Sequence, residues 1–304
     1  MKEINTLQNV PARQEEDHKG KFGSVLVVAG SNGMCGAGCL ASEGAQKAGA
    51  GLITLALPRR MAMVGELFRA SIISKPLPET ESGAISLLAV PEVDRLAKET
   101  DVCAIGPGMG REEETEESIE VWTRELAVPL VLDADALNAL SERKEALKSR
   151  NAPALITPHP GEMARLAGLG NAGEVQKNRA GTAADFARDC NTVTVLKGHR
   201  SVVTDGERIY TNDTGNPGMA AGGMGDVLTG LIAAFIAQGM ESFEAGCLGV
   251  FVHGLAGDRA AARLGRVSLS PEDLLETLPH IFLRLESLPG SFSPSEVTEN
   301  LQNT

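Results

Sequence analysis

Asp226 closes the run Gly215-Asn216-Pro217-Gly218-Met219-Ala220-Ala221-Gly222-Gly223-Met224-Gly225-Asp226, which leads into the most apolar stretch of the chain, residues 231–237. Glycines in such a run expose consecutive backbone N–H groups. Where they open a helix, the dipole favours an anion such as a transferring phosphoryl group. A carboxylate at that place has two readings. It can cap the helix, or it can take a proton from a hydroxyl while Gly222, Gly223 and Gly225 stabilise charge on the electrophile. The second reading draws base and anion hole from adjacent residues.

Two further glycine-rich segments follow apolar runs, Gly30-Ser31-Asn32-Gly33-Met34-Cys35-Gly36-Ala37-Gly38 and Gly106-Pro107-Gly108-Met109-Gly110. Both are expected at the carboxyl edge of a parallel sheet, where ligands bind. The first lacks the lysine of a P-loop. Its Rossmann-like match, Gly36, Gly38 and Ala41, begins six residues after Gly30, and the next strand runs into Pro58, Arg59 and Arg60 in place of a ribose-binding acid. These glycines could also serve only a tight turn and close helix packing. His159, between Pro158 and Pro160, has a restricted backbone and is either a positioned ligand contact or a structural histidine. Lys197 and Arg200 offer a compact charge and a bidentate fork for phosphates, the alternative being a solvated hairpin turn. Asp133 and Asp135 end another strand and could assist or merely cap the next helix. Cys35 and Cys39 carry no nucleophile motif.

The elements that must hold these residues are read from periodicity. Apolar, β-branched runs at 25–29, 52–57, 102–105, 129–132, 154–156 and 193–196 alternate with helical segments at 37–48, 91–98, 113–125, 136–143, 161–166 and 175–190. The pattern predicts a three-layer α/β/α fold with a mostly parallel sheet. Short strands at 201–205 and 208–212, around Asp205-Gly206, predict an antiparallel hairpin. Helices follow at 226–238, 243–263 and 271–285, the last with a break or kink at Pro279. A single domain over residues 1–290 and a frayed tail over 291–304 are expected.

The 304 residues include 40 acidic and 28 basic ones, a formal charge of −12 that disfavours a nucleic-acid partner. No apolar run approaches the ~20 residues of a membrane span. Five cysteines without a C-x-x-C pair argue against a disulfide framework or structural zinc. A reducing cytoplasm is the expected location.

The pattern Gly222-Gly223-Met224-Gly225-Asp226 resembles the G-x-G-D signature of ribokinase-like small-molecule kinases. Together with Thr157-Pro158-His159-Pro160-Gly161-Glu162, Lys197-Gly198-His199, the Gly106 loop and Asp133-Ala134-Asp135-Ala136-Leu137-Asn138, it resembles the ADP/ATP-dependent NAD(P)H-hydrate dehydratases from His18 to His280. The resemblance implies a ribokinase-like fold and repair of hydrated NADH or NADPH, with ADP or ATP as co-substrate and Mg2+ present. It implies substrate contacts at Ala37, Gly108, His159 and Asp226, with Asp226 as base. The adenine nucleotide would lie along Lys197, Gly198, His199, Arg200 and Ser201 and against Gly225. Ser201 stands where relatives often carry threonine. Glu162 would organise magnesium through water. The resemblance also implies a homotetramer. Only a short segment precedes the first strand, so the stand-alone form is expected, with a separate NAD(P)H-hydrate epimerase as partner. The alternative is a kinase that stops after phosphorylating a hydroxyl substrate.

Overall fold

A computed structural model describes residues 1–302. The strands are β1 (Lys2–Glu3), β2 (Leu7–Gln8), β3 (Ser24–Val28), β4 (Leu52–Pro58), β5 (Ile73–Leu77), β6 (Val102–Ile105), β7 (Leu130–Leu132), β8 (Ala154–Ile156), β9 (Val193–Leu196), β10 (Val202–Thr204), β11 (Arg208–Thr211) and β12 (Ser291–Phe292). Ten form one sheet in the order β1-β11-β10-β9-β8-β7-β6-β3-β4-β5, while β2 and β12 pair separately. Strands β3 to β9 run parallel. The hairpin β10–β11 is antiparallel to β9, and β1 joins β11 in parallel.

Period-two alternation sends successive residues of β3 into two cores, which is why this strand is apolar from Val25 to Val28. Val25 and Val27 enter the core beneath the helices Cys35–Lys47, Met224–Ala237, Ser242–Leu264 and Pro271–Leu285. Leu26 and Val28 enter the opposite core with Ile119, Trp122 and Leu137. The chain lays down β3, β4 and β5 in one direction, then returns to β6 and builds outward to β9. The loops after β3 and β6 therefore flank the point where strand order reverses, the crevice in which open α/β sheets bind ligands.

Two glycine contacts set the distance across the upper layer. A Cβ on Gly230 would lie 1.9 Å from the Ala41 carbonyl oxygen, and one on Gly44 would lie 2.7 Å from that of Val227. The helices Cys35–Lys47 and Met224–Ala237 thus meet backbone to backbone, which draws the first glycine loop toward the third.

Several expectations change. The edge strand β5 and the helix Ala62–Phe68 were not predicted; Lys75 and Pro76 in β5 depress a strand pattern, as edge strands commonly do. The predicted helix 175–190 is two helices, Ala172–Lys177 and Arg179–Cys190, because Asn178 caps the second by accepting from the Gly181 N–H. Pro271–Leu285 runs unbroken through Pro279, since Leu274, Leu275, Leu278, Ile281 and Leu285 bury on both sides of the proline. The predicted frayed tail is also revised. Ser291–Phe292 pairs with Leu7–Gln8, Phe292 and Val297 are buried, and Pro294–Gln302 is helical. Asn303 and Thr304, the end of that predicted tail, lie outside the described residues.

Gly230→Ala should lower stability by about 3 kcal/mol, as backbone at 1.9 Å leaves a methyl nowhere to go. Gly290→Ala, whose Cβ would meet nothing within 4 Å, should leave the denaturation midpoint unchanged; equal midpoints for both variants would refute the close-packing argument.

Candidate functional site

The first two glycine loops interlock. The Gly30 N–H donates to the Pro107 carbonyl at 2.8 Å, and Ser31 Oγ donates to the Gly108 carbonyl at 2.9 Å. A Cβ on Gly108 would sit 2.6 Å from the Met34 oxygen and 3.1 Å from the Ala37 Cβ, so Ala37 and Gly108 are neighbours across the β3–β6 crevice. Asp135 Oδ2 accepts the Gly110 N–H at 2.9 Å and ties this loop to the end of β7.

The third loop enters the helix Met224–Ala237 through Gly223, whose φ of +90° at the N-cap favours glycine. No side chain caps this end. Asp226, two residues into the helix, makes no hydrogen bond or ion pair among the described residues, so the capping alternative does not hold. Burial, reinforced by the charge of Asp133, raises its pKa to about 7; Lys197 opposes the shift and Asp135 adds to it. The carboxylate is therefore half ionised near neutrality, under the opposed influence of Lys197 and of Asp133 and Asp135.

Lys197 directly follows β9. Its Nζ donates to Asp133 Oδ1 at 2.6 Å, and Thr229 Oγ1 donates to Asp133 Oδ2 at 2.8 Å. Asp133 is 1 % exposed and caps no helix. A Cβ on Gly225 would lie 3.2 Å from Lys197 Nζ, so the glycine lets the ammonium lie against the first turn of the helix. Burial lowers the Lys197 pKa, but Asp133, Glu162 and Asp226 outweigh it and the net shift is upward.

His159 and Glu162 form a capping box on the helix Pro160–Leu166. His159 Nδ1 accepts from the N–H groups of Gly161 and Glu162, and Glu162 Oε2 accepts the His159 N–H at 2.7 Å. The structural reading of His159 is thus correct as far as its Nδ1 goes, yet half of the ring remains exposed in a cavity. Burial, with Lys197 and Arg165 adding to it, lowers the His159 pKa, so the ring is neutral with its proton on Nε2. Burial raises Glu162 to about 7.

That cavity, about 550 Å³, is lined by His159, Lys197, Gly198, His199, Arg200, Ser201 and Gly225. Ser201 Oγ donates to the Gly198 carbonyl and shapes the turn, while Arg200 at φ +55° pairs with Asp213 at 2.9 Å. Ala37, Gly108, Glu162, Gly222, Gly223 and Asp226 do not line the cavity, which reaches the helix of Asp226 at Met224 and Gly225. Gly222 is exposed, with nothing within 4 Å of its Cβ direction. A larger hollow of about 770 Å³ on the far side of Asn212, Asp213 and Thr214 contains only Arg200 among the sequence-predicted residues.

Sequence reasoning missed three supports. Arg179 donates to the Leu196 and Lys197 carbonyls, His253 Nε2 donates to the Met224 carbonyl at 2.9 Å, and Asp258 accepts from the Gly215 N–H and Asn216 Nδ2. Each acts over a separation in sequence that leaves no local pattern. Burial lowers the His253 pKa to about 4, so it is neutral beside the glycine loop. Cys39 and Cys190 thiols are pushed by burial to about 11, which fits packing and not nucleophilic work.

A mostly parallel sheet with helices on both faces, one edge carrying a glycine-built helix start and an unpaired carboxylate, is the fold shared with a ribokinase-like superfamily protein from Enterococcus faecalis V583, which superposes with a TM-score of 0.77 at 24% identity. The family model for NAD(P)H-hydrate dehydratase matches residues 25–280, and the chain belongs to that family. A bifunctional NAD(P)H-hydrate repair enzyme from Moorella thermoacetica is 45% identical over 280 residues, which is 91% of this chain and 52% of the relative. The chain thus spans about half the length of the first curated relatives it matches. An ADP-dependent (S)-NAD(P)H-hydrate dehydratase from Neisseria meningitidis serogroup B is 37% identical, covering 81% of this chain and 80% of its own. Among solved structures, the ADP/ATP-dependent NAD(P)H-hydrate dehydratase from Bacillus subtilis, co-crystallised with ATP/Mg2+, superposes with a TM-score of 0.77 at 28% identity, over 91% of this chain and 95% of that one.

Because folding raises the Asp226 pKa, its ionisation costs stability above the ordinary aspartate range, and the full cost is present above about pH 7. Asp226→Asn should therefore raise the melting temperature at about pH 8.5, and the gain should shrink toward zero near pH 4. A thermal shift independent of pH would contradict the burial assigned to this carboxylate.

Proposed function

We propose that this protein restores hydrated NADH or NADPH in its (S) form to NAD(P)H, consuming ADP or ATP and releasing phosphate. The observation that carries this reading is Asp226, unpaired and half-buried, at the start of a glycine-opened helix beside a cavity bearing Lys197. In the free protein, a pKa near 7 leaves Asp226 able both to accept a proton and to release it near neutrality. Asp226 takes the proton of the ring hydroxyl, whose oxygen attacks the terminal phosphorus of the nucleotide, and the shortened nucleotide leaves. The N–H groups around Gly222, Gly223 and Gly225 offset charge on the phosphoryl oxygens. The lone pair of the ring nitrogen then expels phosphate, and loss of a proton from the neighbouring ring carbon restores the double bond.

The nucleotide would occupy the cavity of Lys197, Gly198, His199, Arg200 and Ser201, where Lys197 and Arg200 supply charge and Gly225 admits close approach. The hydrate would sit over Ala37 and Gly108 in the crevice between β3 and β6, with His159 between the two ligands. Among the described residues no group of three or more His, Cys, Asp or Glu side chains forms a metal cage. Magnesium, carried mainly by phosphate and water, would neutralise phosphate charge when bound, with Glu162 as a contact through water. A separate NAD(P)H-hydrate epimerase is the natural partner, a reading supported by relatives named as bifunctional NAD(P)H-hydrate repair enzymes.

Incubation with hydrated NADH and either nucleotide should return the absorbance of NADH with one phosphate released per turnover. A stable phosphorylated product would favour a kinase instead. Asp226→Asn should lower kcat by about 10³-fold or more while leaving nucleotide affinity largely intact. Undiminished turnover in that variant would remove Asp226 as the base. Activity of the unaltered protein should fall on the acid side with a limb near pH 7, where Asp226 becomes protonated.

A further inference from the structure

Three carboxylates act on the Lys197 ammonium, those of Asp133, Glu162 and Asp226. Asp133 alone is in hydrogen-bond contact with it, at 2.6 Å. The other oxygen of Asp133 accepts the Thr229 hydroxyl, which stands on the same helix as Asp226, one turn beyond Gly225. With Asp133 1 % exposed, water has little access to compete for either bond. The ammonium is thereby committed to a carboxylate at the end of β7, although it lies against the turn that carries Asp226.

We propose that Asp133 is a positioning residue that holds Lys197 away from Asp226, with Thr229 orienting the Asp133 carboxylate, so that the base stays unpaired and free to take a proton from the alcohol. The proposal rests on Asp226 being that base. An ammonium released from Asp133 has Asp226 and Glu162 as its remaining partners. Pairing with Asp226 would hold the aspartate ionised to lower pH and make it a weaker base. The charged groups around Asp226 are few. Asp133 and Asp135 face it from the end of β7 and Lys197 from the end of β9. Glu162 and His159 act on Lys197 from the helix Pro160–Leu166. From Ser242–Leu264 comes the neutral His253, and Glu43 on Cys35–Lys47 is engaged by Arg69.

The test is the pH dependence of kcat/KM in Asp133→Asn and Thr229→Val, alongside nucleotide Kd for each. Asp133→Asn should move the acid limb about one pH unit lower. It should also reduce plateau kcat roughly tenfold or more, with nucleotide Kd changed by less than about threefold. Thr229→Val should shift the limb in the same direction by less, and Asp133→Glu, which keeps the charge, should return it toward the original position. An unmoved limb overturns the proposal, as does nucleotide affinity falling in parallel with kcat. If Asp133→Asn does not fold, Thr229→Val decides by the same criterion. Loss of the base reading shows separately, as turnover surviving in Asp226→Asn; an inactive Asp226→Asn with an unmoved limb in Asp133→Asn sinks only the positioning role.

Discussion

Where Gly230 faces Ala41 and Gly44 faces Val227, two helices from opposite ends of the chain meet with no side chain between them. Any residue larger than glycine at either place would push the helix Met224–Ala237 outward. The loop that opens it would then move away from the loops after β3 and β6. Val227, Leu231, Ala234 and Phe235 of the second helix are buried in the core on this face of the sheet. The crevice exists because a sheet reverses its strand order beneath it, and the close approach of the two helices brings the start of the third loop's helix, at Gly223, against Leu40 of the first.

Charge is arranged under the same constraint. Asp133, Glu162 and Asp226 converge on the carboxyl edge of the sheet, and burial raises the latter two to about 7. One ammonium, from Lys197, offsets this cluster, and it is held by the most buried of the carboxylates. An ion pair this deep adds little net stability once desolvation is counted. Its consequence is instead a division of labour, in which one carboxylate is spent on the cation and another keeps a near-neutral pKa. The helix carrying Asp226 is so apolar that no polar neighbour on it competes except Thr229, which points to Asp133.

Much of the fold was legible because parallel strands buried on both faces are uninterrupted apolar runs, as in β3 and β6. The strands that escaped notice are those whose existence depends on a partner. Strands β1, β2 and β12 have two residues each, too short for any period, and β5 carries the lysine and proline of a sheet edge. The segment after Pro289, rich in Ser, Pro, Glu and Asn, had little to bury by composition, yet Phe292 and Val297 enter the core that also holds Leu7 and Phe251.

At the level of sequence alone, residue types and local spacing determined the three glycine loops, the carboxylate after the third, and the placement of all of them at strand ends, because backbone freedom and hydrophobic period are local properties. Tertiary structure alone decided which carboxylate is free and which is bound. Asp133 and Asp226 are both acidic residues beside a helix start, and each could have been a cap. What distinguishes them is an ammonium 64 residues away and a hydroxyl 96 residues away from Asp133. Hydrogen bonds of a few ångströms and the desolvation of a carboxyl depend on distances through space, which the order of residues does not contain.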